Sequence, residues 1–452
     1  MSVRPVSFFQ HASALMRLAL PLIASQVAQF AIGLTDAIML GWYSLEAFAA
    51  QVLGGSFFFI FLLFGSGFAF ALSPVVATAA AQDDQIQIRR TTRMSFWLVA
   101  MFAVLALPFL LFSEPILLLA GQKPQLAADA DSYLKIMGIS ILPALFVMVT
   151  RSYLSSLEQA AIILYVTLGS VALNAGMNYL LIFGSFGFPE LGLRGAAIAS
   201  LGVNCFTFLF LAIYAVWKNP EHELFKRFWR PDWEALREIF ALGWPIGITV
   251  LAEVGLFTAS SIMVGWVGVV ELGAHGIALQ IASLTFMFHL GLSQAVTVRS
   301  GANVGRNDWA AVRQVAKVAL SISIGFSLFA ISVFLLFPET LLKIFVSPSE
   351  PNLDELLRNG VILLYLAAIF QLTDGIQVIG TSLLRGLKDT RIPMVFATIS
   401  YWGIGMTTAY TLGFIFDLGA QGVWWGLVTG LSASAVLMLT RFRLLLRQHP
   451  LA

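Results

Sequence analysis

The chain has 452 residues, of which 59% are hydrophobic and 11% charged, with a formal net charge of +2. A soluble domain is about 45–50% apolar and about 25% charged, so a water-soluble fold is excluded, and so small a charge singles out no polyanion such as nucleic acid as partner. Apolar stretches of about 20 residues recur along the whole length, each enough to cross a hydrocarbon core of about 30 Å as a helix. The short alternating segments of a transmembrane barrel do not occur.

In chain order, MSVRPVSFFQHASALMRLAL (1–20) is a short polar leader into the first apolar span. It lacks the small-residue cleavage site of a secretory signal and is expected to be retained. Breaks at charged or Gly/Pro-rich stretches then predict twelve spans: 15–42, 48–79, 92–113, 132–155, 160–184, 190–217, 236–266, 272–304, 312–337, 358–383, 393–416 and 420–446. The longest polar connector, residues 218–238, falls halfway along, and its Trp229 and Trp233 suit an interfacial helix or a plain linker. The expected division is an N-terminal six-helix lobe (1–217), a cytoplasmic linker (218–235) and a C-terminal six-helix lobe (236–452).

Lys and Arg set the orientation. With a cytoplasmic N-terminus, twenty-one of the 26 basic residues, from Arg4 through Arg151 and Arg385 to Arg447, fall inside, and Lys123, Lys135, Arg194, Lys343 and Arg358 fall outside. Both termini are then cytoplasmic. A lone Cys205, within an apolar segment, excludes an internal disulfide and a cysteine metal cluster and reads as a small packing residue.

The two halves resemble each other. A shift of 224 residues sets Pro21 on Pro245 and IMLGW (38–42) on IMVGW (262–266), and a shift of 230 sets GLRGA (192–196) on GVWWG (422–426). Six spans per half is an even number, so the halves form parallel repeats, pseudo-two-fold about the membrane normal, as in secondary transporters with a site between repeats. The expected class is an all-α integral membrane protein of twelve helices.

Of the 24 acidic residues, only Asp36, Glu253 and Asp374 fall within predicted spans. A charge at the bilayer centre costs about 2.5–3.5 kcal/mol on insertion scales, and such residues normally serve an ion or substrate path. The repeat does not explain them: Glu253 aligns with Gln29, Asp36 with Ser260 and Asp374 with Ala144. Each also has a bland role open to it, a helix end for Asp36 and a hydrogen-bonded structural carboxylate for the other two. With no Lys or Arg placed mid-span beside them, the acids predict a cavity favouring cations. Asn174 and Asn178 share one helix face and Ser200 lies on the next span; amide oxygens, a hydroxyl and a carboxylate make an oxygen shell for a small hard cation, although such asparagines also serve as helix–helix glue. His275 and His289 lack metal-ligand spacing and read as packing. Pro21, Pro74, Pro143 and Pro245 invite kinks.

These residues bring a family into view. The chain resembles the multidrug and toxic compound extrusion (MATE) family, most closely its NorM-like branch, over essentially its whole length. The resemblance rests on LALPLIASQVAQFAIGLTDAIMLG (18–41), LNAGMNYLLIFG (173–184), GAAIAS (195–200), AEVGLF (252–257), SQAVTVRSGANVGRND (293–308) and, most specifically, LTDGIQVIGTSLLRGLKDTRIPM (372–394). It implies two six-helix lobes around a central cleft and outward transport of lipophilic cationic drugs against inward sodium or protons, in a cytoplasmic (inner) membrane, with no cofactor beyond the coupling ion. Family cation-binding positions carry over to Asp36, Asn174 and Asn178 in the N-terminal lobe and to Glu253 and Asp374 in the C-terminal lobe, as two possible sodium sites. A further position, usually Thr in the pattern, is Ser200 here, which keeps the hydroxyl and loses a methyl. Pro21 matches a position where the first helix bends.

Other readings fare less well. A lipid-linked saccharide flippase of the wider superfamily takes an anionic substrate and calls for buried Arg or Lys. A major-facilitator transporter calls for a Gly-x-x-x-Asp-Arg-type motif where this chain reads AQDDQIQIRR (81–90). An ATP-driven pump needs a phosphate loop, which is missing. An intramembrane enzyme would have to use Glu253 and Asp374 as a catalytic carboxylate pair. The expected protein is a transporter and not an enzyme; sodium and protons both remain open as coupling ions, with the resemblance leaning towards sodium.

Overall fold

The computed structural model describes residues 8–346 and 352–449; Arg4 and the start of the leader lie outside the described residues. In lipid an apolar segment must satisfy its own backbone hydrogen bonds, which leaves helices for runs of this length. Among the described residues eleven uninterrupted helices are long and apolar enough to cross a membrane. They are α1 (Phe8–Tyr43), α2 (Leu45–Ala81), α3 (Gln85–Leu111), α5 (Pro124–Ser156), α6 (Ala160–Phe183), α7 (Gly192–Lys218), α8 (Trp233–Val267), α9 (Val269–Gly305), α10 (Trp309–Leu336), α12 (Leu353–Gly386) and α15 (Gly419–Arg447).

The remaining predicted span, 393–416, the eleventh in chain order, is helical but not uniformly so. It starts as α13 (Arg391–Thr398), widens into π turns over Ile399–Gly405, tightens as α14 (Met406–Tyr410) and widens again over Thr411–Ile415. The junction residues keep helical dihedrals, as at Ile399 (φ −64°, ψ −44°) and Met406 (φ −66°, ψ −38°), so the chain passes through without a break. π turns of this kind recur at functional sites. Two short helices, α4 (Ser113–Leu119) and α11 (Pro338–Lys343), follow the third helix of each half and were not expected. Asp131 fastens the first of them, its Oδ1 accepting from Ser113 Oγ at 2.9 Å and from the Glu114 backbone N–H at 3.2 Å.

The repeat shows in the element bounds. Moving α2 by 224 residues reproduces the bounds of α9, and moving α5 by 230 matches α12 to within a residue. The turns repeat as well. Asp83 and Asn307 both take positive φ of 57°, and each is followed by an aspartate, Asp84 or Asp308, that caps the next helix through a 2.9 Å bond from Gln87 N or Ala311 N. Such a side-chain oxygen satisfies a backbone N–H that the first turn leaves orphaned.

By internal contacts the chain groups into Ala24–Gly247 and, separately, the part up to Ile23 together with Ile248 onward. In the first unit α5 packs against α2, α3 and α7; in the second its repeat partner α12 packs against α9, α10 and α15. The connector 219–232 forms short turns rather than an interfacial helix, and it is held down on α3. Arg89 pairs with Glu223 at 2.7 Å, Arg90 pairs with Asp232, Arg93 donates to the carbonyls of Lys226 and Arg227, and Trp97 Nε1 donates to the Phe228 carbonyl at 2.9 Å. Trp229 and Trp233 remain exposed, at 71% and 69%. Helices α1, α2, α5 and α8 run without interruption through Pro21, Pro74, Pro143 and Pro245.

Candidate cation sites in the two halves

In the N-terminal half Asp36 is buried on α1, and Asn174 and Asn178 present adjoining turns of one face of α6 to it. Asp36 Oδ1 accepts from Asn174 Nδ2 at 2.9 Å and from Asn178 Nδ2 at 2.6 Å, and Oδ2 accepts from Ser200 Oγ of α7 at 3.3 Å. Helices α6 and α7 come close because residue 195 is glycine: a Cβ there would stand 2.3 Å from the Leu181 carbonyl oxygen. About one turn from Asp36, Asn178 and Ser200 along the same three helices, Met39, Leu40, Ile182 and Ala196 form a buried apolar cluster. All four residues singled out in the sequence therefore meet at one carboxylate.

This set of donors fits a small hard cation. A carboxylate, two amide oxygens and a hydroxyl are its preferred chemistry, and Asn178 Oδ1 is buried with no hydrogen-bond partner. The amide nitrogens face Asp36, so a metal cation there would require one or both amides to turn their oxygens inward, whereas a proton on Asp36 would not. No cluster of three or more His, Cys, Asp or Glu exists among the described residues.

In the C-terminal half Asp374 is 2% exposed on α12, and its Oδ1 has no hydrogen-bond partner. Glu253 on α8 is half-buried and lies within electrostatic range of Asp374. Residue 375 is glycine where α12 closes on its neighbours: a Cβ would meet His289 Cε1 at 2.7 Å and Ser323 Oγ at 2.9 Å. The next polar groups along α12 are incompletely used. Gln371 Oε1 accepts from Thr285 at 2.7 Å, while Gln371 Nε2 and Gln377 Oε1 have no partner. The ring of Tyr401, on the first π turn, is buried within range of both acids.

One expectation needs correction. The sequence placed no base near the buried acids, yet Arg385, assigned to the cytoplasmic edge, is half-buried and faces Glu253 electrostatically. Arg151 likewise reaches inward, donating from Nη1 to Gln29 Oε1 at 3.2 Å and from Nη2 to Gln26 Oε1 at 3.5 Å. Long flexible stems let both guanidiniums reach further from their backbone position than a span boundary suggests. The histidines behave as packing groups. His275 accepts from Trp424 Nε1 at 3.0 Å and shares a hydrogen bond with Ser261, and His289 sits between Ser323 and Ser327.

Long apolar helices in two repeated sets, each with buried acidic side chains, define a polytopic α-helical membrane protein. The sequence model of the MatE family matches residues 21–180 and 245–411, and the chain belongs to that family. It is 47% identical over 441 residues to the probable multidrug resistance protein NorM of Rhizobium meliloti (strain 1021), covering 97% of this chain and 94% of that one. It is 46% identical to the protein of the same description from Agrobacterium fabrum (strain C58 / ATCC 33970), covering 98% and 96%. Among solved structures, a crystal structure of MATE in complex with MaL6 superposes with a TM-score of 0.89 at 19% identity, covering 99% of each chain. A MOP superfamily transporter from Pyrococcus furiosus, described as having reverse polarity of its binding pocket, gives 0.86 at 20%, covering all of both chains.

Proposed function

We propose that this protein is a secondary active multidrug efflux antiporter of the inner membrane, with both termini cytoplasmic, exporting lipophilic and cationic compounds in exchange for Na⁺ or H⁺ by alternating access. The observation that carries this is the buried Asp36 carboxylate ringed by Asn174, Asn178 and Ser200. An ionised carboxylate away from water is costly, and binding a cation removes that cost. A conformation that buries the site is then favoured when the ion is bound, which links ion occupancy to conformation. Glu253 and Asp374 provide a second negative field in the other half, tempered by Arg385. The relatives named as multidrug resistance proteins support the efflux part of the reading.

The test is transport of a fluorescent lipophilic cation in proteoliposomes under a sodium gradient or a proton gradient imposed separately. Movement driven by one gradient identifies the ion. Absence of movement under both, with folded protein, would return the lipid-linked saccharide flippase as the better reading.

A further inference from the structure

Gln29 lies near the middle of the predicted first span, about 20 Å from either end at 1.5 Å per residue. The guanidinium of Arg151 is bonded to it and to Gln26, one turn away on α1. A charge at that depth is expensive, and intramembrane ionisable residues usually mark a ligand path. Both partners of Arg151 are neutral amide oxygens, and no carboxylate lies near it among the described residues. Amide oxygens use only part of a fork with five N–H donors, whose natural complement is a carboxylate taken bidentately. Gln29 is exposed, so the pair is open to a ligand on that side.

The repeat sharpens the point. A shift of 224 residues sets Gln29 on Glu253, and Glu253 faces Arg385 in the other half. The two arginines are not repeat partners, since a shift of 230 sets Arg151 on Thr381, but the position corresponding to Glu253 in the N-terminal half carries an amide. Among the described residues no carboxylate meets the charge of Arg151.

We propose that Arg151, with Gln26 and Gln29, is an anion subsite that takes the carboxylate of an amphiphilic, zwitterionic substrate. The subsite rests on the efflux reading above and extends it beyond simple cations: a lipophilic body with both an amine and a carboxylate satisfies Arg151 through its acid.

The test compares a zwitterionic rhodamine bearing a free carboxylate with its methyl ester, a plain cation, in proteoliposomes with the native chain, Arg151→Gln, Arg151→Lys and Gln29→Glu. A lost charge-assisted contact corresponds to on the order of tenfold to a hundredfold in apparent affinity. Arg151→Gln is expected to weaken transport of the zwitterion by that factor and to spare the ester, with partial rescue by Arg151→Lys. Gln29→Glu supplies the missing internal carboxylate, and is expected to fold and to exclude the zwitterion selectively; it decides the matter if Arg151→Gln does not fold. An unchanged zwitterion-to-ester ratio in Gln29→Glu overturns the subsite. So does an equal loss of both dyes, whether Arg151 then serves a lipid phosphate or the packing of α5. If the native chain moves the ester and not the zwitterion, the subsite fails and the efflux reading stands; if it moves neither, the efflux reading fails.

Discussion

Asn178 donates to Asp36 at 2.6 Å, yet its own amide oxygen is buried without a partner. One residue thus both holds the carboxylate and carries an unused ligand atom beside it. Asn178→Ala removes both. The amide oxygen is a ligand atom for sodium, whereas the amide N–H favours the ion-free carboxylate, so the sodium concentration giving half-maximal export is expected to rise about tenfold in the variant, while the proton concentration needed is expected to fall. Titration of export against sodium, and separately against proton gradient, measures this; an unchanged midpoint for the ion in use would reduce Asn178 to helix glue.

Ser200 is the weakest contact of the ring, at 3.3 Å from Asp36 Oδ2. Ser200→Thr keeps the hydroxyl and adds the methyl of the family pattern, and is expected to keep coupled export, while Ser200→Ala is expected to lower sodium affinity by less than Asn178→Ala, since its contact is the longer one. Should Ser200→Ala prove the more damaging of the two, the hierarchy of ligands drawn from these distances is wrong.

Much of this was legible in the sequence because the bilayer enforces it. Most helix ends fell within five residues of the predicted spans, since an apolar run in lipid has one way to satisfy its backbone. Helices α1, α3 and α5 begin seven or eight residues earlier than predicted, in polar sequence that apolarity does not mark. Asp36, Asn174, Asn178 and Ser200 were found by a simple rule, that polar groups in oil need a reason. What escaped notice depended on side-chain reach or on helix pitch. Arg151 and Arg385 sit near span ends and send their charge inward, which no count by span can register. The π turns of 399–415 leave composition unchanged and alter only hydrogen-bond spacing. The connector 219–232 reads from sequence as an interfacial helix or a plain linker because the groups that hold it, Arg89, Arg90 and Arg93, come from a helix more than a hundred residues earlier.

That connector gives a pH prediction. Hydrogen bonding to Arg90 holds the Asp232 carboxyl below its usual range, so the stability it lends is present above about pH 4 and is lost as pH falls below that. His222 is packed against Tyr153, whose hydroxyl lies 2.6 Å from Nδ1, and burial pushes the imidazole below its ordinary value. A histidine held neutral stabilises the fold above about pH 6.5 and loses that contribution as pH drops. The connector is therefore expected to loosen in two steps on acidification, at His222 first and Asp232 later. Hydrogen exchange of residues 219–232 between pH 7 and pH 5 reads the first step, and Tyr153→Phe should blunt it. Protection that does not change over that range would refute the role given to His222.

The acids of the C-terminal half should separate coupling from stability. Asp374 is buried with an unpartnered oxygen and a second acid nearby, so its charge is a burden on the fold. Asp374→Asn removes that burden and is expected to leave thermal stability equal or higher, because an amide of the same shape costs less to bury than a carboxylate. Glu253 instead faces Arg385. Glu253→Gln also removes an electrostatic attraction to Arg385, and is expected to leave the protein less stable than Asp374→Asn does. Both substitutions are expected to abolish ion-driven export. Thermal unfolding in detergent, run beside proteoliposome transport, gives the two readouts on the same preparations. Equal stability for the two variants would mean that Arg385 does not compensate Glu253. Retained export in both would mean that the C-terminal acids are structural, and that coupling rests on Asp36 alone.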